Sequence, residues 1–160
     1  MEINALIDEG LEGYLETDWL KIIAERALMA EKAGSNVELG LVITTQENIQ
    51  QLNRTYLGRD EPTDVIAFRM LPDVDETGPD LPAFVNPPDG LVHLGEVIIS
   101  YPQAVIQAEE QHHSVKREIA ILIIHGVLHL LGYKDDTPEL MHQMQARQAE
   151  VLSPMEGELG

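Results

Sequence analysis

The run Ile119-Ala120-Ile121-Leu122-Ile123-Ile124-His125-Gly126-Val127-Leu128-His129-Leu130-Leu131 constrains this chain more than any other stretch. Wound as a helix it is apolar on every side, and such a helix is stable in water only when other elements surround it. The fold therefore has this helix at its centre, with two imidazoles where an unpaired polar group is costly. A helix advances about 100° per residue, so His125 and His129 stand about 40° apart on one face and can converge on one point. Gly132 can take the left-handed conformation that ends a helix, and the turn brings Asp135 and Asp136 into reach. Two imidazoles and a carboxylate suit a first-row metal, with zinc the expected ion and a fourth position left for water.

A bare His-x-x-x-His spacing is common in ordinary cores and surfaces. Here the apolar flanks, the glycine turn and the Asp-Asp pair that follows favour a metal site. Gly126 is expected to leave room beside His125 for a ligand. It also excludes the zinc-protease pattern, in which the residue after the first histidine is a glutamate base.

Upstream, Trp19 to Ala33 has helical spacing, with Thr17 and Asp18 as possible caps and Gly34 as terminator. Val37 to Thr44 alternates as a strand, Gln46 to Tyr56 returns to helix, and Pro62 breaks the chain before a short strand over 65–68. The stretch 70–90 is rich in proline and acidic side chains, lacks lysine and arginine, and reads as a loop with Phe84 and Val85 as packing anchors. A third strand over 94–100, a helix over 102–110, the central helix capped by Ser114, and a last helix over 138–152 complete the order. The expected architecture is a single α+β domain spanning 1–160, in which a small sheet packs on the central helix. Strand order is left open by the pattern. His93, His112, His113 and His142 are expected to face solvent. Glu118, two helical turns before His125, can orient a ligand histidine or make a surface salt bridge.

Two blocks further upstream join the histidine motif. His125-Gly126-Val127-Leu128-His129-Leu130-Leu131-Gly132-Tyr133 resembles the His-Gly-x-Leu-His-Leu-x-Gly-Tyr-Asp-His signature of the YbeY family of metal-dependent endoribonucleases implicated in ribosomal RNA maturation. Leu52-Asn53-Arg54-Thr55-Tyr56 followed by Asp60-Glu61-Pro62-Thr63-Asp64-Val65-Ile66-Ala67-Phe68 is similar to a second family block, and Leu94-Gly95-Glu96-Val97-Ile98-Ile99-Ser100 to a third. The resemblance implies a mixed-direction sheet. It also implies a ligand set of His125, His129 and Asp135, with Asp135 standing where the family has a third histidine; Asp136 is the rival. The arginine that the family carries after the block's tyrosine is replaced by Leu57, and Arg59 is the nearest substitute for its catalytic role, with Arg54 behind it.

Charge pulls the other way. A net charge of −18 is unfavourable for a nucleic-acid partner, whose phosphates call for clustered lysine and arginine. The basic residues nevertheless gather near the second block (Arg54, Arg59, Arg69) and at the start of the central helix (Lys116, Arg117), as a local lining or as solvated charges. The absence of cysteine excludes a thiolate site and a disulfide framework, in keeping with a reducing cytoplasm. The start Met1-Glu2-Ile3-Asn4 lacks the regions of a signal peptide, and the central helix falls short of the ~20 residues that span a bilayer, so no membrane partner is expected.

The resemblance implies a single-strand-directed endoribonuclease acting on ribosomal RNA, with one zinc ion polarising a phosphodiester and acidifying a water, and Arg59 countering the charge that develops. The alternative is a ribosome-assembly factor with a structural or vestigial metal site and an acidic surface for ribosomal proteins.

Overall fold

The computed structural model describes residues 1–70 and 91–159. In chain order the elements are β1 (Glu2–Ile7), α1 (Thr17–Ala30), β2 (Val37–Thr44), α2 (Gln46–Leu57), β3 (Val65–Arg69), β4 (Val92–Ser100), α3 (Tyr101–Gln111), α4 (Val115–Leu130) and α5 (Pro138–Leu152), followed by a 3-10 turn, Ser153–Glu158. The expected elements are present, and a strand that the pattern reading passed over, β1, is added at the edge of the sheet. The loop read over 70–90, with Phe84 and Val85, lies outside the described residues apart from Met70.

The four strands are ordered β1-β2-β4-β3, with β1, β2 and β4 parallel and β3 antiparallel to β4. The mixed α/β architecture and the mixed sheet agree with expectation. Alternation along the strands sends Ile3 of β1, Leu39, Leu41 and Ile43 of β2, and Val97 and Ile99 of β4 to one face, where all are buried. On that face lies α4, flanked by α1, α3 and α5. Its Ile119, Ile123, Ile124, Val127 and Leu128 are wholly inaccessible to water. The opposite face is covered by α2, where Ile49 packs on Ile66 and Ile98 in a smaller apolar cluster bordered by Val42, Leu52 and Phe68.

Four helices begin at a hydroxyl cap, of which Ser114 is the one expected from the sequence. Thr45, Ser100, Ser114 and Thr137 each accept a backbone N–H of the first turn, at 3.2, 3.3, 3.1 and 3.1 Å. The start of α1 is different: neither Thr17 nor Asp18 caps it, and Glu16 occupies the cap position without a side-chain bond.

Gly126 has a role the sequence did not suggest. A Cβ added there would lie 2.8 Å from Val97 Cγ2, 3.2 Å from its Cβ and still closer to Cγ1. The glycine therefore makes no space for a ligand. It lets α4 come down onto β4 immediately beside His125, and so fixes the height of that histidine above the sheet.

Candidate metal centre and cleft

The site is assembled from the C-terminal end of α4, the turn after it, the segment between α2 and β3, and one side chain of α5. His125 and His129 both project from the same face of α4, with ring centroids 4.6 Å apart. Past Leu130 the chain reverses at Gly132, whose φ of 107° suits glycine, and returns Asp135 to the rings. His129 Nε2 lies 3.1 Å from His125 Nε2 and 3.5 Å from an Asp135 carboxylate oxygen. One ligand atom from each of the three residues lies within 4.8 Å of the other two, the sole such histidine and carboxylate grouping among the described residues. Asp136, the rival, is outside it.

The far nitrogens of the two rings each meet an acceptor. His129 Nδ1 is 3.0 Å from the carbonyl oxygen of Tyr133, which can only accept, so Nδ1 carries the proton. His125 Nδ1 is likewise 3.0 Å from Gln148 Oε1. In the neutral rings with Nδ1–H so placed, the two Nε2 atoms turn lone pairs toward one another at 3.1 Å, an arrangement that a cation between them would relieve. Ligand atoms about 2.0–2.1 Å from a tetrahedral zinc stand roughly 3.3 Å apart, close to the two separations seen here. Burial holds the His125 imidazole below its usual pKa; the neighbouring His129 adds to this, while the bond to Gln148 and the charges of Asp64 and Asp135 oppose it. The net result favours the neutral ring that a metal needs.

Gln148 is the residue bonded to His125, a task that the sequence leaves open for Glu118 beside that of a surface salt bridge. Glu118 is buried, but its oxygens are taken by Gln107 at 2.8 Å and His113 at 2.7 Å. The same pair corrects the expectation for His113, whose side chain is only 18% exposed. Gln148 is held in turn by its neighbour Arg147, which donates to Glu31 and to the Ala30 carbonyl, each at 2.8 Å, and so ties α5 to the end of α1. His93 lies near Glu38 at 3.3 Å, and His112 and His142 are exposed.

The three residues open on a cleft of about 560 Å³. Its lining includes Asn53 and Leu57 of α2, Arg59, Glu61 and Asp64, with Arg69 and Lys134. Helix α2 ends at Gly58, and Asn53 draws the following segment back by donating to the Glu61 carbonyl at 2.9 Å, while its own carbonyl accepts from Arg59 N–H at 3.2 Å. This fold-back carries Arg59 into the same cleft as Leu57, with its guanidinium exposed and without a partner among the described residues. Arg69 is partly committed, donating from Nε to the Leu130 carbonyl at the end of α4 at 3.2 Å. Of the basic residues singled out from sequence, Arg59 and Arg69 line the cleft. Arg54 does not, Lys116 lies over the Trp19 ring and Arg117 pairs with Glu156 at 2.7 Å. Lys134 joins the lining without a role read for it from sequence, as do Asn53 and Asp64, which stand in the second block with no chemistry attached; Gln148 supports His125 from α5.

Residues 12–156 match the family described as Endoribonuclease YbeY. The chain belongs to the YbeY family. A relative named Endoribonuclease YbeY from Dehalococcoides mccartyi is 53% identical over 133 residues, covering 83% of this chain and 77% of that one. Relatives of the same name from Moorella thermoacetica and Chloroflexus aurantiacus are 44% identical over 134 residues and 37% identical over 152, covering 84% and 94% of this chain and 83% and 93% of theirs. A Thermotoga maritima protein solved in solution shares the fold, with a TM-score of 0.59 at 21% identity over 98% of this chain and 93% of that one. Membership in the YbeY family accords with the three blocks read from the sequence, and the His-His-Asp cluster lies within the matched span. Among the described residues no helix is long and apolar enough to cross a membrane.

Proposed function

We propose that this chain is a single-domain cytoplasmic endoribonuclease that cuts single-stranded RNA during ribosomal RNA maturation, with one zinc ion held by His125, His129 and Asp135. The observation that carries the reading is the pair of Nε2 atoms 3.1 Å apart, opening with Asp135 on a cleft whose lining includes Arg59, Arg69 and Lys134. Membership in a family of proteins named endoribonucleases supplies the class of reaction. When bound, the metal supplies Lewis acidity toward a phosphodiester oxygen. Gln148 and the Tyr133 carbonyl hold the two rings at the tautomer that binds it. Arg59, exposed at the cleft, counters the charge that grows on the phosphate in the transition state. The cleft sets three basic side chains, Arg59, Arg69 and Lys134, against three carboxylates, Glu61, Asp64 and Asp135, so its lining is balanced where the chain as a whole carries −18.

The test combines metal analysis of the purified chain with incubation on labelled single-stranded and duplex RNA of one sequence, with and without chelator. One zinc per chain and chelator-sensitive cleavage of the single strand are expected. His129→Ala should lose most of its metal and its cleavage while keeping the fold, and full metal retention in that variant would overturn the ligand assignment. A metal-replete chain that leaves RNA intact would favour the assembly-factor reading, with the acidic surface engaging basic ribosomal proteins.

A further inference from the structure

Cutting a phosphodiester with water requires a group to accept the proton of the attacking oxygen, and α4 provides none. The position after His125 is Gly126, which is pressed on Val97 and cannot carry a side chain without moving the helix. The rings of His125 and His129 have their Nδ1 protons committed to Gln148 and Tyr133, and their Nε2 atoms face each other. Three carboxylates line the cleft: Asp135, in the ligand cluster; Glu61, exposed at the rim; and Asp64, which is partly buried.

Asp64 is held firmly. Its backbone carbonyl accepts from Ser100 N–H at 2.9 Å, tying it to the end of β4. Its Oδ1 accepts from Val65 N–H at 2.7 Å and lies 3.5 Å from the Thr63 hydroxyl. Oδ2 has no partner among the described residues. Asp64 also stands outside the His125, His129 and Asp135 cluster, so it is a carboxylate next to the centre without being part of it. Its charge is nonetheless felt at the His125 ring. A carboxylate in the cleft lining, anchored through one oxygen and with the other without a partner among the described residues, is arranged as a general base.

We propose, on the endoribonuclease reading above, that Asp64 accepts the proton of the water that attacks the phosphodiester. The water oxygen forms a bond to phosphorus while its proton passes to Asp64 Oδ2. The bond from phosphorus to the leaving ribose oxygen breaks, and that oxygen takes up a proton from solvent. Asp64 then releases its proton to solvent. The net change is one phosphodiester and one water to one phosphate monoester and one ribose hydroxyl. The role accounts for the Thr63-Asp64-Val65 part of the second block, to which no chemistry was attached in the sequence: Val65 and Thr63 bind one oxygen and thereby aim the other.

Asp64→Asn separates this role from a structural one, because the amide oxygen still accepts from Val65 N–H but no longer takes a proton. We expect kcat on single-stranded RNA to fall by about 10²- to 10⁴-fold, with KM within a few fold. Zinc content should be unchanged, and RNA binding in chelator should be equal or tighter, since an anion has left the cleft. Asp64→Ala should regain part of its activity when formate is added, which a purely structural loss would not allow. The proposal is overturned if Asp64→Asn keeps kcat within about threefold of the wild type. It is equally overturned if the variant loses zinc together with activity, which would make Asp64 a ligand, or if formate leaves Asp64→Ala unchanged. Wild-type protein that binds zinc but cuts nothing would instead defeat the endoribonuclease reading on which this one rests.

Discussion

Replacing Gly126 by alanine tests whether close contact between helix and sheet sets the position of the metal centre. The new Cβ would lie 2.8 Å from Val97 Cγ2 and nearer still to Cγ1, whereas non-bonded carbons rest at about 3.5–4.0 Å. The overlap therefore approaches 1 Å or more, and both partners lie within regular elements with little freedom to yield. Overpacking of this kind costs about 1–3 kcal/mol, while glycine to alanine in a helix interior returns about 1 kcal/mol. A net loss of up to about 2 kcal/mol is expected. Because His125 is the adjacent residue, the outward shift of α4 should also weaken zinc binding. The assay is urea denaturation with zinc titration, run on Gly126→Ala, Val97→Ala and the double variant. Val97→Ala removes the methyl groups that clash, so the double variant should be more stable than the sum of the single effects by at least about 0.5 kcal/mol. A Gly126→Ala protein as stable as the parent, with unchanged zinc affinity, would refute the argument, since the helix would then not be limited by that contact.

Three further outcomes are expected. Asp135→Ala should lose more zinc affinity than Asp136→Ala, because only Asp135 reaches the histidine cluster; equal or reversed losses by competition with a chromophoric chelator would make Asp136 the ligand. Gln148→Leu should weaken zinc by about 10- to 100-fold without unfolding the chain, since loss of the bond that orients a ligand histidine usually costs this much, and unchanged affinity would mean that α4 alone orients His125. Arg59→Ala should reduce kcat on single-stranded RNA by tenfold or more, on the order of 1.4 kcal/mol, with zinc content intact, and retained kcat would shift the charge-stabilising role to Arg69 or Lys134.

The sequence by itself determined the centre of the molecule. An all-apolar helix interrupted by two histidines at i and i+4 calls for burial and puts both imidazoles on one face, and Gly132 offers the turn that can return the chain toward them. Local chemistry of this kind is written in consecutive residues: the caps at Thr45, Ser114 and Thr137 and the alternation of β2 are of the same sort. Tertiary structure decided everything that depends on residues distant in the chain. Edge strand β1 is short and carries Leu6 outward, 61% exposed, so its identity comes from parallel pairing with β2 more than from its pattern. Glu118 lies on the expected helix but meets α3 and His113, because the neighbours of a helix face are set by packing, and Gln148 reaches His125 from another helix altogether. Gly126 looked like space and is contact, since only the position of Val97 on β4 shows what lies opposite. Arg59 and Asp64 share the cleft with the histidines through the fold-back at Asn53 and the anchoring to β4, contacts that no local periodicity contains. Periodicity specifies which way a side chain faces along its own element, and only the packing of elements specifies what it faces.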